Sequence, residues 1–157
     1  MRLRVLAVGT RMPDWVDAGC QEYSRRLRGH WKIDWIELAV ASRRESGGTA
    51  AQGRTAEGRR ILAALGPRDF VTALDERGTQ RSSLELSRWL EERRASGKDL
   101  ALVIGGADGL SEDVLARADA RWSLSKLTLP HALVRVMLAE QLYRGATLLA
   151  GHPYHRE

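Results

Sequence analysis

The chain has 157 residues, of which 43% are hydrophobic and 29% charged, and a net charge of +5, a balance that fits one domain with a real core and leaves little room for a second. Its single cysteine, Cys20, excludes an internal disulfide and a cysteine-based zinc site. No run approaches the ~18 apolar residues of a membrane span, and the opening Met1–Gly9 is too short and too alternating for a signal peptide, which directs the expectation to the cytoplasm.

Of the 25 basic residues only Lys32, Lys98 and Lys126 are lysines. Arginine forks onto phosphate and stacks on bases more specifically than lysine, so a polyanionic partner fits this composition, although mildly basic proteins exist without one.

In chain order, Leu3–Val8 reads as a buried first strand ended by Gly9. Pro13 and Asp14 open a helix to about Arg28, with Trp15, Val16 and Tyr23 as packing residues. Trp31–Val40 alternates and is rich in β-formers, which predicts a second strand. Ala41–Arg54 lacks an apolar rhythm and reads as a mobile basic loop, followed by a helix over Thr55–Leu65.

Asp69–Leu74 is the third expected strand, with a turn at Asp75–Gly78. Ser82-Ser-Leu-Glu85 has capping-box spacing and starts a helix that Gly97 stops. Leu100–Ile104 is continuously apolar, as a central parallel strand covered on both faces must be; the strand is expected over Asp99–Ile104. Ser111 caps a short helix, Arg121–Ser125 is a fifth strand, and a long helix covers His131–Ala150. Alternating strands and helices predict an α/β fold with a mostly parallel sheet and helices on both faces.

Four segments carry candidate chemistry. Ile104-Gly-Gly-Ala-Asp-Gly-Leu110 stands where a central strand ends and a helix begins, the place where open α/β sheets bind ligands. It reads equally well as a tight turn. Trp122–His131 could wall an adenine with Leu124, Leu127 and Leu129, or be an ordinary strand-to-helix loop.

On the long helix, Glu140, Gln141, Arg144 and Thr147 share one side and read as the solvated stripe. Arg135 falls nearly opposite among apolar neighbours; a buried guanidinium needs an acceptor, either an internal carboxylate or a ligand. Thirteen of the twenty residues over His131–Ala150 are apolar, more than one packing face needs, which points to a subunit interface. The tail His152-Pro-Tyr-His-Arg156 gathers groups able to hold a base or carry a proton, against the usual inertness of polar termini. His152 and His155 find no third ligand for a metal.

Together, Ala7–Gly9, Leu74-Asp75, Ile104–Gly106 with Gly109-Leu110, Leu124–His131, Arg135-Val136, Glu140–Arg144 and Pro153–Arg156 resemble the RlmH family of 23S rRNA pseudouridine N3-methyltransferases, in the SPOUT superfamily. The match runs end to end and is most specific over Ser123–Arg156.

The resemblance implies a SPOUT-type sheet with a C-terminal trefoil knot and a cytoplasmic homodimer without metal. It further implies transfer of a methyl group from S-adenosylmethionine to N3 of a pseudouridine in 23S rRNA on the assembled ribosome, in the stem-loop facing the decoding centre. By motif, the cofactor contacts are Leu74, Gly105, Leu124, Ser125, Lys126, Leu127, Thr128 and Leu129. Tyr154, His155 and Arg156 are the expected catalytic tail, with Arg135 beside them, and the tail is expected to cross to the partner's cofactor. Arg144, Arg25, Arg26, Arg43 and Arg44 are the expected RNA contacts. Thr79 stands where the family often has lysine. The competing readings are another SPOUT RNA methyltransferase, a catalytically silent ribosome-binding protein, and a small-molecule nucleotide enzyme.

Overall fold

A computed structural model describes residues 1–156, with side chains through Tyr154. Five strands form one all-parallel sheet in the order β2-β1-β4-β3-β5. They are β1 (Leu3–Val8), β2 (Ile33–Leu38), β3 (Phe70–Gln80), β4 (Leu100–Ile104) and β5 (Ala120–Ser123). The connecting helices are α1 (Asp14–Leu27), α2 (Arg43–Ser46), α3 (Ala50–Ala64), α4 (Ser83–Ala95) and α5 (Glu112–Arg117). A final α6 (His131–Leu149) runs into a 3₁₀ turn over Pro153–Arg156.

Side chains of a strand alternate between faces, and the central strands use both. Val5, Ala7, Leu100, Leu102 and Ile104 meet Leu27, Leu86, Leu90, Leu138 and Leu142 of α1, α4 and α6. Leu6, Val8, Ala101 and Val103 meet Ile61 and Val114 of α3 and α5 on the other face. All five residues of β4 are buried, which is why its sequence is unbroken hydrocarbon.

Several expectations from the sequence are corrected. Trp15 is 57% exposed rather than packed, while Val16 is fully buried. The expected loop over Ala41–Arg54 is mostly helical: the Ser42 hydroxyl accepts from Glu45 N, and the Glu45 carboxylate accepts from Ser42 N. This box starts α2, and Thr49 caps α3 a few residues later. The missed signal is the Ser-x-x-Glu spacing, masked by the absence of apolar residues to give a helical rhythm.

The third strand does not end at Leu74. Leu74 and Thr79 both pair with Trp122 of β5, so Asp75–Gly78 bulges out of a strand that then resumes. At Gly78 a Cβ would lie 2.6 Å from the Trp122 backbone nitrogen; only glycine permits so close a crossing. The expected turn residues are therefore present, but they form an excursion within β3.

Candidate active site

The excursion within β3 and the carboxyl ends of β4 and β5 open into a cavity of about 710 Å³. Leu74 and Ile104 form part of its wall, the Gly105–Leu110 turn one side, and the loop from Leu124 to Pro130 another. Such a volume at such a place is that of a nucleoside-sized ligand site.

The glycine turn is tightly closed. Gly109 N donates to Gly106 O at 3.0 Å, and a Cβ on Gly105 would lie 2.8 Å from the carbonyl of Gly109. Opposite it, hydroxyls shape the loop: Ser123 Oγ donates to Ser125 O at 2.8 Å, and Leu127 N donates to Ser125 Oγ at 3.0 Å. These short-range bonds commit the loop's local polar groups to one another and leave its leucines to the cavity and its rim.

Of the expected cofactor residues, Leu74, Gly105, Leu124, Ser125, Leu127, Thr128 and Leu129 line the cavity. Lys126 is exposed and lies outside the lining. Arg54, Asp75, Glu76, Arg77 and His131 also line it, and the sequence had singled out none of them as site residues. For Asp75–Arg77 the readable signal is a polar, turn-like run directly after a buried strand. Arg54 arrives from α3 and donates to Asp108 O at 3.4 Å, a long-range contact with no local signature.

Arg135 is 2% exposed and does not line the cavity. It meets the half-exposed carboxylate of Glu37 at 2.8 Å, an acceptor within its own chain. Its Nη2 donates to Gly9 O at 2.6 Å and Val8 O at 3.2 Å, and its Nε donates to His131 Nε2 at 3.1 Å. His131 Nδ1 lies 2.7 Å from Gly105 O. Burial, followed by the Arg135 charge, holds the His131 pKa below its ordinary value.

The far end of α6 holds the tail. Tyr154 donates its hydroxyl to Glu140 at 3.2 Å, packs on Tyr143 at 4.6 Å, and lies under the Arg144 guanidinium at 5.0 Å. Glu140 and Arg144 pair at 2.7 Å and are largely covered, and Thr147 is fully buried. The expected solvated stripe is thus a packed one: Tyr154 folds back over Glu140 and Arg144, and Ser83 of α4 meets Gln141. Burial raises the Tyr154 pKa far above neutrality, with Tyr23 and Glu140 adding to it, so this phenol keeps its proton. The side chains of His155 and Arg156 lie outside the described ones.

At 1.5 Å per residue, Glu140 and Arg144 stand roughly 13–20 Å along α6 from His131. Tyr154 does not line the cavity of its own chain.

The other expected arginines are dispersed. Arg25 and Arg26 share the carboxylate of Glu22 on the exposed face of α1. Arg43 and Arg44 are exposed on α2. Among the described residues no cluster of three His, Cys, Asp or Glu could hold a metal, and no helix is long and apolar enough to cross a membrane.

A parallel α/β sheet with a nucleoside-sized cavity beyond its central strand ends is the architecture in which open α/β sheets bind ligands. The family described as "Predicted SPOUT methyltransferase" matches residues 1–155. Proteins named "Ribosomal RNA large subunit methyltransferase H" are 48% identical in Methylobacillus flagellatus, over all of both chains. The Alkalilimnicola ehrlichii protein of that name is 51% identical over 99% of each. In fold, the chain is similar to "a probable methylase family protein" from Haemophilus influenzae, with a TM-score of 0.54, 12% identity, and coverage of 97% of this chain and 69% of that one. The chain belongs to the SPOUT methyltransferase family, in the group of these large-subunit enzymes.

Proposed function

We propose that this chain, acting as a cytoplasmic homodimer and as one methyltransferase domain, uses S-adenosylmethionine to methylate N3 of a pseudouridine in 23S rRNA on the assembled ribosome. The observation that carries the reading is the cavity at the β3 excursion and the ends of β4 and β5. Its size suits S-adenosylmethionine, it offers leucines and main chain to an adenine, and its rim includes the carboxylates of Asp75, Glu76, Asp108 and Glu112, complementary to a sulfonium and an ammonium. The names of relatives matching the whole chain support a ribosomal RNA substrate. The C-terminal trefoil knot belongs to the same reading and rests on the family resemblance.

S-adenosylmethionine supplies a methyl group that is already activated, so the protein's task is chiefly alignment. The leucine loop and Gly105 hold the cofactor, and the tail receives the base. His155 takes the weakly acidic N3 proton and Arg156 stabilises the resulting anion or holds a phosphate, while Arg144, Arg25, Arg26, Arg43 and Arg44 contact RNA.

The separation of Tyr154 from its own cavity supports a tail that serves the partner's cofactor. A partly covered apolar strip supports the dimer: Leu133, Val136 and Met137 on α6 are half-buried, and Trp15 projects from the neighbouring α1. The reading is tested by calorimetric titration with S-adenosylmethionine, its demethylated product, ATP and NAD. Saturable binding of the first two alone is expected. Failure of folded protein to bind either would move the chain to a ribosome-binding role without catalysis.

A further inference from the structure

One chain of contacts runs from a second concavity through the protein to the cofactor turn. A groove of about 430 Å³ between α1 and β2 has Glu37 and Arg135 in its wall. The Glu37 side chain is 39% exposed there, whereas Arg135 is 2% exposed. Beyond Arg135 come His131 and then the carbonyl of Gly105. Glu37 and Arg135 do not line the cofactor cavity; His131 does.

We propose that Glu37, Arg135 and His131 are positioning residues that fix the Gly105 carbonyl, and with it the cofactor turn, by imposing a single tautomer on His131. The argument needs only hydrogen-bond valence. A guanidinium has five N–H donors and no acceptor, so the Arg135 Nε–H pointing at His131 Nε2 requires that nitrogen to carry a lone pair. The imidazole proton must then sit on Nδ1, from where it donates to Gly105 O at 2.7 Å. An imidazolium in this place would set two donors against each other at 3.1 Å.

The arginine itself is held at three further points. Glu37 sets one edge of the guanidinium, and the carbonyls of Val8 and Gly9 take the other. Gly9 has a φ of +115°, and a Cβ there would lie 3.2 Å from Nη2, so glycine both turns the chain and admits the guanidinium. Because a peptide is planar, anchoring the Gly105 carbonyl also fixes the direction of Gly106 N–H. The Gly106–Gly109 bond closes the same turn from inside. Such outer-layer hydrogen bonds set the orientation of the groups that touch a ligand.

This assignment rests on the cofactor reading for its functional meaning, but its first test does not need the cofactor. Long-range ¹H–¹⁵N NMR of the ligand-free protein at neutral pH reads the His131 ring directly. A pyrrole-type Nδ1 and a pyridine-type Nε2 are expected; an Nε2–H tautomer, a mixture, or an imidazolium overturns the proposal. In Glu37→Ala, a change at a half-exposed position, the ring should become a tautomer mixture; an unchanged ring removes Glu37 from the chain.

S-adenosylmethionine titrations then separate positioning from simple packing. His131→Ala should weaken binding about five- to tenfold, the worth of one hydrogen bond. His131→Asn, whose amide can still donate to Gly105 O, should stay within about threefold of the native protein. Equal losses in both variants would contradict the proposal. Wild-type protein that shows the expected tautomer yet binds no S-adenosylmethionine would count against the proposed function and leave the tautomer assignment standing.

Discussion

In its first two turns α6 buries an arginine completely and surrounds it with four acceptors; in its last three turns it carries an ion pair under a folded-back tyrosine. Arg135 contacts Glu37, Val8, Gly9 and His131, drawn from β1, β2 and its own helix. Arg144 contacts Glu140 and the Tyr154 ring, all within the same helix and tail. The first arginine is locked by distant chain segments, so releasing it disturbs the sheet. The second is held by local contacts that can exchange without unfolding anything. One end of the helix is tied into the sheet, and the other is held only by its own helix and tail.

The sharpest way to break this contrast is to remove the tail. Deletion of the last three residues, or His155→Ala, should lower methyl transfer by about 10³-fold, within the range for a positioned acid–base group. Affinity for S-adenosylmethionine and the denaturation midpoint should hardly move. Loss of folding would make the tail structural and the contrast false.

Next in size is Arg135→Met, which leaves two buried carbonyls and His131 Nε2 without a donor. Guanidinium denaturation should show a loss of roughly 3 kcal/mol. Arg144→Met should cost under about 1 kcal/mol and act mainly on turnover. Similar stability losses at the two positions would erase the distinction between the ends.

The pH dependence sharpens the first end. His131 has a folded-state pKa below its ordinary 6.5, so the unfolded chain binds the proton more readily. Its contribution is present above the unfolded value and is lost as pH falls from about 6.5 toward the folded value. Melting temperature should drop over that interval in the native protein and less so in His131→Asn.

The smallest effect is expected for Tyr154→Phe. It keeps the ring on Tyr143 and Arg144 and removes only the hydroxyl bond to Glu140, a loss of about 1 kcal/mol or less. Turnover should fall less than tenfold. A fall matching tail deletion would move proton handling onto the phenol.

Much of the frame was legible because it is written in local composition. The unbroken Leu100–Ile104 run and the capped starts at Ser82 and Ser111 correspond to observed elements. Elements without apolar rhythm were not legible, and α2 shows why: its capping box stands among exposed residues.

The candidate site divides along the same line. The Gly105–Leu110 turn and the leucine loop are each one contiguous run of sequence, and the two meet in space. The Arg135–Glu37 pair spans 98 positions, so the sequence could demand an acceptor but not name it. Glu140 and Arg144 read as solvated because nothing in a helical wheel shows Tyr154 returning to cover them.

The most direct test is to incubate ribosomes lacking the modification with the protein and S-adenosylmethionine labelled in its methyl group, then map the labelled nucleotide. The account predicts label on N3 of a pseudouridine in 23S rRNA, and none on ribosomes whose target uridine was never isomerised. Label on another nucleotide, or undiminished label without pseudouridine, would contradict it.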